Sequence, residues 1–382
     1  MSQLHLFNPE NDIALAYGKS QYTAPPNALR LRTAGELLPL WFCEKGDQII
    51  SPNADLHWIE NIKSKFDIYG DVASHLTPSS ISQCNPWGWS LYTKRQLLNL
   101  NVNEQILPSD EQINKIRELS HRRLCVEISN QLLSNNIPNP TLPFEAHNEY
   151  EISDFLHKHQ SIFLKSPWSS SGRGIINTNT LSEHEIIRRA KGIISRQGSV
   201  MCEKALDNIK DFAMLFFSNG IEVLFHGYSS FFNSKAGNYA GNIIGSQDYI
   251  AKSIYQNYIS PKKLEQIAST LCKILTPLIA PHYNGFLGVD MMIYNNNGTI
   301  DIAPCIEINL RMTMGVVASL WSDKHLATGS HGIMRVEYAT NNNIATNANN
   351  TPIIIDKKLK SGTISLIPPD DFFKIYISAN CQ

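Results

Sequence analysis

Apolar and polar residues along the chain mark out strands and helices in alternation. Leu4 to Phe7 is an apolar run of strand length that stops at Asn8-Pro9-Glu10-Asn11-Asp12, and Gln48 to Ile50, followed by Ser51-Pro52-Asn53, repeats the design. Helical periodicity lies around Ala34 to Lys45 and His57 to Lys65, so an open α/β layer is expected over residues 1–111. Ligands of such sheets bind beyond the carboxyl ends of strands, which makes Asn8, Glu10, Asn11 and Asp12 candidates for a substrate pocket. For Asp12 a helix cap is the simpler role. Trp87 and Trp89, in a Pro- and Gly-punctuated loop, are expected to plug a domain junction rather than stack on a substrate.

Farther on, an amphipathic pattern from Gln112 to Ser134 predicts one helix carrying Arg122 and Arg123, stopped by Asn135-Asn136-Ile137-Pro138-Asn139-Pro140. A helix around Tyr150 to His159 leads into a strand, Ser161 to Lys165, and then into Ser166 to Gly174, a loop too rich in Ser and Gly for regular structure. Strands are expected at Val200 to Glu203, Phe212 to Phe217 and Val223 to Tyr228, and a long helix from Pro261 to Ile279. Asn341 to Asn350 reads as solvated loop, with edge strands beyond it at Pro352 to Ile355 and Gly362 to Ile367.

The chain has 382 residues, 42% hydrophobic and 18% charged, enough to build more than one core. With a net charge of -1 and no basic stripe, it has no footprint for a nucleic-acid backbone. Seven scattered cysteines, without a CxxC motif or a Cys/His cluster, fit a reduced cytoplasmic setting. No signal peptide is expected, and no run approaches the roughly 20 apolar residues of a spanning helix, so no membrane partner is expected either.

Chemistry concentrates near residue 307. From Cys305 to Gly315, Glu307, Asn309 and Arg311 alternate with Ile306, Ile308 and Leu310. As a strand this puts an acid, an amide and a guanidinium on one face. The preceding run from Gly288 to Tyr294 is joined to it through Asn297-Gly298, a strong hairpin signal. A two-residue turn there sets Asp290 across from Cys305, with Glu307 next along the same face, and Pro304 marks a bulge that disturbs the register. Asp290, Glu307 and Asn309 make an all-oxygen set suited to Mg²⁺, and no histidine joins them, which argues against zinc or a redox metal there. Lys165 and the loop Ser166 to Gly174 supply an ammonium, Arg173 and small residues that let backbone N–H groups approach phosphate oxygens, though no P-loop GKS or GKT is present.

In order and approximate spacing, Arg122 or Arg123, IPNP, the strand ending in Lys165, SPWSSSGRGI, MCEKAL, GFLGVD and IEINLR resemble the ATP-grasp superfamily, and in particular ligases such as biotin carboxylase, carbamoyl-phosphate synthetase and D-alanine:D-alanine ligase. The resemblance covers about Gln112 to Arg335. It implies a fold mixing α/β and α+β: an N-terminal open α/β (pre-ATP-grasp) domain at 1–111, a two-lobed ATP-grasp fold with its lid-bearing lobe at 112–200 and metal-bearing lobe at 201–340, and a tail at 341–382. Lys165, Arg122 or Arg123, Ser169, Ser170, Ser171, Gly172 and Gly174 would then contact the nucleotide phosphates, Glu203 the adenine amino group and Asp211 the ribose. Asp290, Glu307 and Asn309 would hold Mg²⁺, with Mn²⁺ as a substitute, while Arg311, Lys165 and Arg173 would act on the phosphoryl group. The implied reaction joins a carboxylate and an amine, from small molecules or peptides, through an acyl phosphate at the expense of ATP. A small-molecule kinase and a non-catalytic nucleotide-binding module are the alternatives, and a homodimer is compatible with the resemblance. Lys235, Tyr239, Asn242 and His226 fall where such proteins place part of the acceptor site. A structural role is expected for His226, and either a substrate-side or a capping role for His325 and His331.

Overall fold

A computed structural model describes residues 2–75, 81–140, 142–159, 161–169, 174–234, 237–256, 258–338 and 351–381. The first layer is a parallel sheet of four strands, β1 (Ser2–Leu6), β2 (Gln48–Ile50), β3 (Asp71–Ala73) and β4 (Ile81–Pro86), in the order β3-β2-β1-β4. Its helices are α1 (Asn11–Tyr17), α2 (Pro26–Gly35), α3 (Leu56–Lys65) and α4 (Leu91–Asn99). The helix expected at Ala34 to Lys45 is instead the end of α2 followed by a single 3₁₀ turn, Leu38–Trp41. Pro39 removes a donor there, and Gly35 lies so close to Phe7 that an added Cβ would stand 2.4 Å from its ring.

The single helix expected from Gln112 to Ser134 is two, α5 (Asp110–Leu119) and α6 (Leu124–Ser134). A capping box of Ser109 and Gln112 starts α5. Between the two helices the Arg122 N–H leaves the helical ladder and donates to Pro167 O at 3.1 Å, which brings Arg122 to the base of the Ser/Gly loop.

A small lobe follows, an antiparallel sheet β5-β8-β6-β7 built from β5 (Phe144–Ala146), β6 (Ile162–Lys165), β7 (Ile175–Asn177) and β8 (Val200–Lys204). On it pack α7 (Glu149–Lys158) and α8 (Glu183–Gln197), with their own core of Ile152, Ile162, Leu164, Ile186 and Ile193.

The rest is dominated by a nine-stranded antiparallel sheet ordered β13-β12-β9-β10-β11-β14-β17-β16-β15. Its strands are β9 (Asp207–Asn219), β10 (Val223–Asn233), β11 (Tyr239–Ile244), β12 (Asn284–Asn296), β13 (Thr299–Asn309), β14 (Ser330–Tyr338), β15 (Ile353–Ile355), β16 (Lys358–Ser365) and β17 (Phe373–Cys381). Its helices are α9 (Gln247–Tyr255), α10 (Pro261–Ile279) and α11 (Met314–His325). Helix α10 matches the expected span, and eight of its residues, Leu264, Leu271 and Ile279 among them, are buried. The expected solvated stretch at 341–350 lies outside the described residues. Strand β17 had no counterpart in the sequence reading, and it sits inside the sheet between β14 and β16.

Two large cores hold the molecule together, and neither respects a boundary at residue 111. One joins Leu4, Cys84 and Trp89 to α5, α6, α10 and the β9–β12–β13 face. The other joins Phe7, Trp41, Trp58 and Trp87 to Trp321 of α11 and to Leu366, Phe373, Ile375 and Ile377. Trp41 Nε1 donates to Leu366 O at 2.7 Å, a bond between the first layer and the chain's last segment.

Candidate active site

The β12–β13 hairpin sets the centre of the site, and its register differs from the expected one in an instructive way. Near the turn the strands pair as expected, with Asn296 opposite Thr299 and Met292 opposite Ala303. Between Met292 and Asp290 the register shifts, so that Asp290 faces Glu307 itself rather than Cys305. Pro304 has no N–H for the ladder, and the surplus residues of β13 bulge at Pro304 to Ile306. Bulged carbonyls need donors. Cys305 O accepts from Asn139 Nδ2 at 2.8 Å, and Ile306 O accepts from the Cys125 thiol at 3.6 Å. The IPNP segment and α6 therefore hold the bulge that aligns the two acids.

On that face Asn309 Nδ2 donates to Asp290 Oδ2 at 3.1 Å, and Arg311 Nη2 donates to Asn309 Oδ1 at 2.8 Å. Burial, reinforced by the neighbouring Glu307 charge, pushes the Asp290 carboxyl up to about 7, against the opposing pull of Arg311 and Asn309. Arg122 Nη2 meets Glu307 Oε1 at 2.8 Å and donates to Ser169 Oγ at 3.0 Å, while its Nε donates to Ser166 O at 3.1 Å. Arg122 thus spans the gap between hairpin and loop. Burial opposes its charge, but Glu307 and Glu203 outweigh that effect and raise its pKa. Arg123 points elsewhere, to Glu145 at 3.1 Å and to His121, so of the two arginines only Arg122 reaches the site.

At the end of β6, buried Lys165 pairs with Glu203 of β8. Asp211, on β9, accepts hydrogen bonds from Asn208 and Asn233, each at 3.1 Å; burial raises its pKa, and the Lys165 charge pulls it back. Ser166 N–H donates to Gly174 O at 2.8 Å and closes the base of the loop. Gly174 has a φ of 74°, and an added Cβ would lie 2.6 Å from Ser166 Oγ, so glycine is required there. Ser170, Ser171, Gly172 and Arg173 lie outside the described residues. Ser169, Trp168, Glu307, Asn309 and Asp12 line one cleft.

Asp12 is the residue most clearly misjudged by sequence. It caps nothing: its carboxylate accepts from Arg311 Nε at 2.8 and 3.0 Å, across 299 positions of chain. Burial raises its pKa, and Arg311 offsets part of that. Arg311 feels burial too, but the Asp12, Glu307 and Asp290 carboxylates raise its pKa in net. The other members of the first turn are structural. Asn8 is buried and donates to Gly88 O and Thr93 Oγ1, and buried Glu10 pairs with Arg32. Trp87 and Trp89 are buried, and Met312 N–H donates to Trp87 O at 2.9 Å, so the tryptophan loop does sit at a junction, one residue from Arg311.

Sequence reading also missed Arg117. Its guanidinium lies 4.0 Å over the Trp168 ring and donates to Leu15 O and Ala16 O, clamping the loop base to the first layer. No local pattern signals such a contact.

His226, His325 and His331 are structural. His226 faces Ser319 Oγ at 3.3 Å and Phe286, and burial lowers its pKa. Of the two roles expected for it, His325 does not line the cleft; its Nε2 donates at 2.8 Å to the carbonyl of Trp41, the last residue of the 3₁₀ turn, and it is buried against Trp41, Phe66 and Trp321, which brings its pKa down to about 4. His331 packs on Tyr249. The Tyr239 hydroxyl donates to Asn242, which is itself buried and donates to Ser229 Oγ at 2.6 Å. Lys235 lies outside the described residues.

No family model and no curated protein matches the sequence. Solved structures do match. Biotin carboxylase from Campylobacter jejuni, in a β,γ-ATP complex, aligns with a TM-score of 0.54 at 12% identity over 99% of this chain and 87% of its own. The biotin carboxylase domain of 2-oxoglutarate carboxylase from Hydrogenobacter thermophilus, with MgADP, ADP and bicarbonate, aligns with a TM-score of 0.50 at 12% identity over 99% and 86%. With its small antiparallel lobe, its large sheet and the first layer all aligned to these structures, the chain has the ATP-grasp fold.

Proposed function

We propose that the protein is an ATP-dependent carboxylate–amine ligase that forms an amide through an acyl phosphate and releases ADP and phosphate. The observation that carries this reading is the facing of Asp290 and Glu307, with Asn309 and Arg311 beside them, across a cleft from the Lys165 loop. The residues fit a hard divalent cation: two carboxylates and an amide oxygen form the donor set, and the burial and neighbouring Glu307 charge that lift Asp290 are what such a cation offsets. Asp290, Glu307 and Asn309 would hold Mg²⁺ or Mn²⁺. Bound there, the ion supplies charge neutralisation to the transferring phosphates.

The chain's own groups do the rest. Lys165, Arg122, the backbone of Ser169 to Gly174 and Arg173 bind the triphosphate, and Arg122 still has one buried nitrogen, Nη1, without a partner. Glu203 Oε1 is likewise buried and unpartnered, an acceptor suited to the adenine amino group, while Asp211 takes the ribose hydroxyls. Arg311, held by Asp12, stabilises charge on the acyl phosphate. A substrate carboxylate attacks the γ-phosphorus, and an amine then displaces phosphate. The structural neighbours are carboxylases rather than kinases, which favours a carboxylate acceptor.

The substrates in this reading are small-molecule or peptide carboxylates and amines. The seven scattered cysteines suit the cytoplasm, and no described helix is long and apolar enough to cross a membrane. A homodimer is part of the proposal, in keeping with the dimer formed by the Hydrogenobacter domain.

Incubating the protein with ATP, Mg²⁺, hydroxylamine and a panel of carboxylates should yield a hydroxamate together with ADP. Glu307→Gln should lower that yield by at least about 10²-fold, the scale of losing one stabilising group in the transition state. ADP release without hydroxamate for every carboxylate that stimulates it would overturn the acyl-phosphate step.

A further inference from the structure

Away from the cleft, three segments of the first layer bring unlike ligands together. His5 lies on β1, Cys43 follows the 3₁₀ turn, and Asp47 precedes β2. A ring nitrogen, a thiol sulfur and a carboxylate oxygen from these residues all lie within 4.8 Å of one another. None of the three takes part in the proposed reaction.

The carboxylate is fixed before any ligand arrives. Asp47 Oδ1 accepts from Gln3 N–H at 3.1 Å, and Oδ2 accepts from Glu44 N–H at 2.9 Å. The same Oδ2 faces His5 Nε2 at 3.0 Å, and the imidazole packs edge-on against Phe42. That network accounts for His5 and Asp47, and the Cys43 thiol stands beside it, 3% exposed. Gly70 packs closely on the same residue: an added Cβ there would lie 2.7 Å from Cys43 Cβ and 3.1 Å from Sγ. Burial, and next the Asp47 charge, hold the thiol far above its ordinary pKa, a preference that a bound dication reverses.

One nitrogen, one sulfur and one oxygen donor form a borderline set. Hard Mg²⁺ and Ca²⁺ want oxygen alone, whereas four-coordinate Zn²⁺ accepts all three kinds. Backbone hydrogen bonds that aim a ligating carboxylate are the outer support such sites use.

We propose that His5, Cys43 and Asp47 form a zinc site in the first layer, with water in the fourth position. Binding forms the Zn–S bond and releases the thiol proton to solvent. The ion ties β1 to β2 and fixes the turn at 42–47. The end of α11 leans on that turn, Lys324 Nζ donating to Phe42 O at 3.1 Å and pairing with Glu44.

Co²⁺ titration of the metal-free, full-length protein tests this, because a thiolate ligand gives cobalt a near-ultraviolet charge-transfer band that the all-oxygen cleft cannot produce. The band should saturate at about one Co²⁺ per chain, disappear on adding one equivalent of Zn²⁺, and be absent in Cys43→Ser. His5→Gln keeps the thiol and should bind Zn²⁺ at least about tenfold more weakly, which serves if Cys43→Ser does not fold. No band in the wild type, a band that persists in Cys43→Ser, or unchanged zinc affinity in His5→Gln would each overturn the site. The cleft chemistry stands or falls separately, on hydroxamate formation.

Discussion

Asp290 faces Glu307 across the hairpin, and burial together with that neighbour lifts its carboxyl from 3.8 to about 7. The folded chain therefore keeps a proton that the unfolded chain has lost. The stability this contributes is complete below the unfolded value and is lost as pH rises from there through about 7. A cation competes with the same proton, so its affinity should run the opposite way. Calorimetric titration of Mg²⁺ with a non-hydrolysable ATP analogue should show tighter binding at a pH of about 8 than at about 6, with proton release, and Asp290→Asn should flatten that dependence. Equal affinity at both pH values would mean that Asp290 is already ionised. Much of this constellation was legible from sequence, because a strand's period of two states which side chains share a face. Glu307, Asn309 and Arg311 are found on one face, as their alternation requires. Asp12 was not legible. A turn acid beside a helix start looks like a cap, and its true partner, Arg311, is 299 positions away, where no local pattern reaches.

At the scale of elements, the site depends on a bulge. The Asn297–Gly298 turn fixes the outer register, and Pro304 breaks the ladder, but the size of the slip decides whether Asp290 meets Cys305 or Glu307. Sequence supplied the turn and the bulge without that size, since the slip is set by what catches the freed carbonyls. Asn139 and Cys125 do so from another part of the chain. Asn139→Ala leaves Cys305 O buried without that donor, which should cost about 1–3 kcal/mol in urea unfolding. The same variant should weaken Mg²⁺–nucleotide binding, because the register that opposes the two acids loses its brace. A loss of stability with unchanged nucleotide affinity would show that the register holds without Asn139. The break between α5 and α6 follows the same logic: hydrophobic periodicity runs through it, while the Arg122 N–H turns to Pro167 O and the Arg123 N–H to His121 Nδ1 instead of continuing the ladder.

Over the whole molecule, the two ends of the chain close on each other. Residues 341–382 read as a loop with edge strands because polar Asn-rich sequence precedes them, yet β17 lies inside the nine-stranded sheet and pairs along its length with β14. Phe373, Ile375, Ile377 and Ala379 alternate as buried positions, a strand signal present in the sequence. What the sequence could not convey is the surface they cover: the core of Trp41, Trp58, Phe66 and Trp321, shared by the first layer and α11. Met312 and Met314 pack on that core, in the segment through which the strand bearing Glu307 and Asn309 enters α11. Removing residues 351–382 therefore strips more than an edge. It exposes β14, uncovers the tryptophans and deletes the Leu366 carbonyl that accepts from Trp41. A patch of that kind on a monomer drives aggregation, so the truncated chain should be recovered in the insoluble fraction or, if soluble, unfold without a cooperative transition in urea. Phe373→Ala alone should lower stability by about 3–5 kcal/mol, the cost of emptying a buried aromatic site. A soluble truncated chain that unfolds cooperatively at the wild-type urea midpoint would instead make the tail a separable appendage, and the tie between the chain's two ends would then carry none of the stability that holds Arg311 in the cleft.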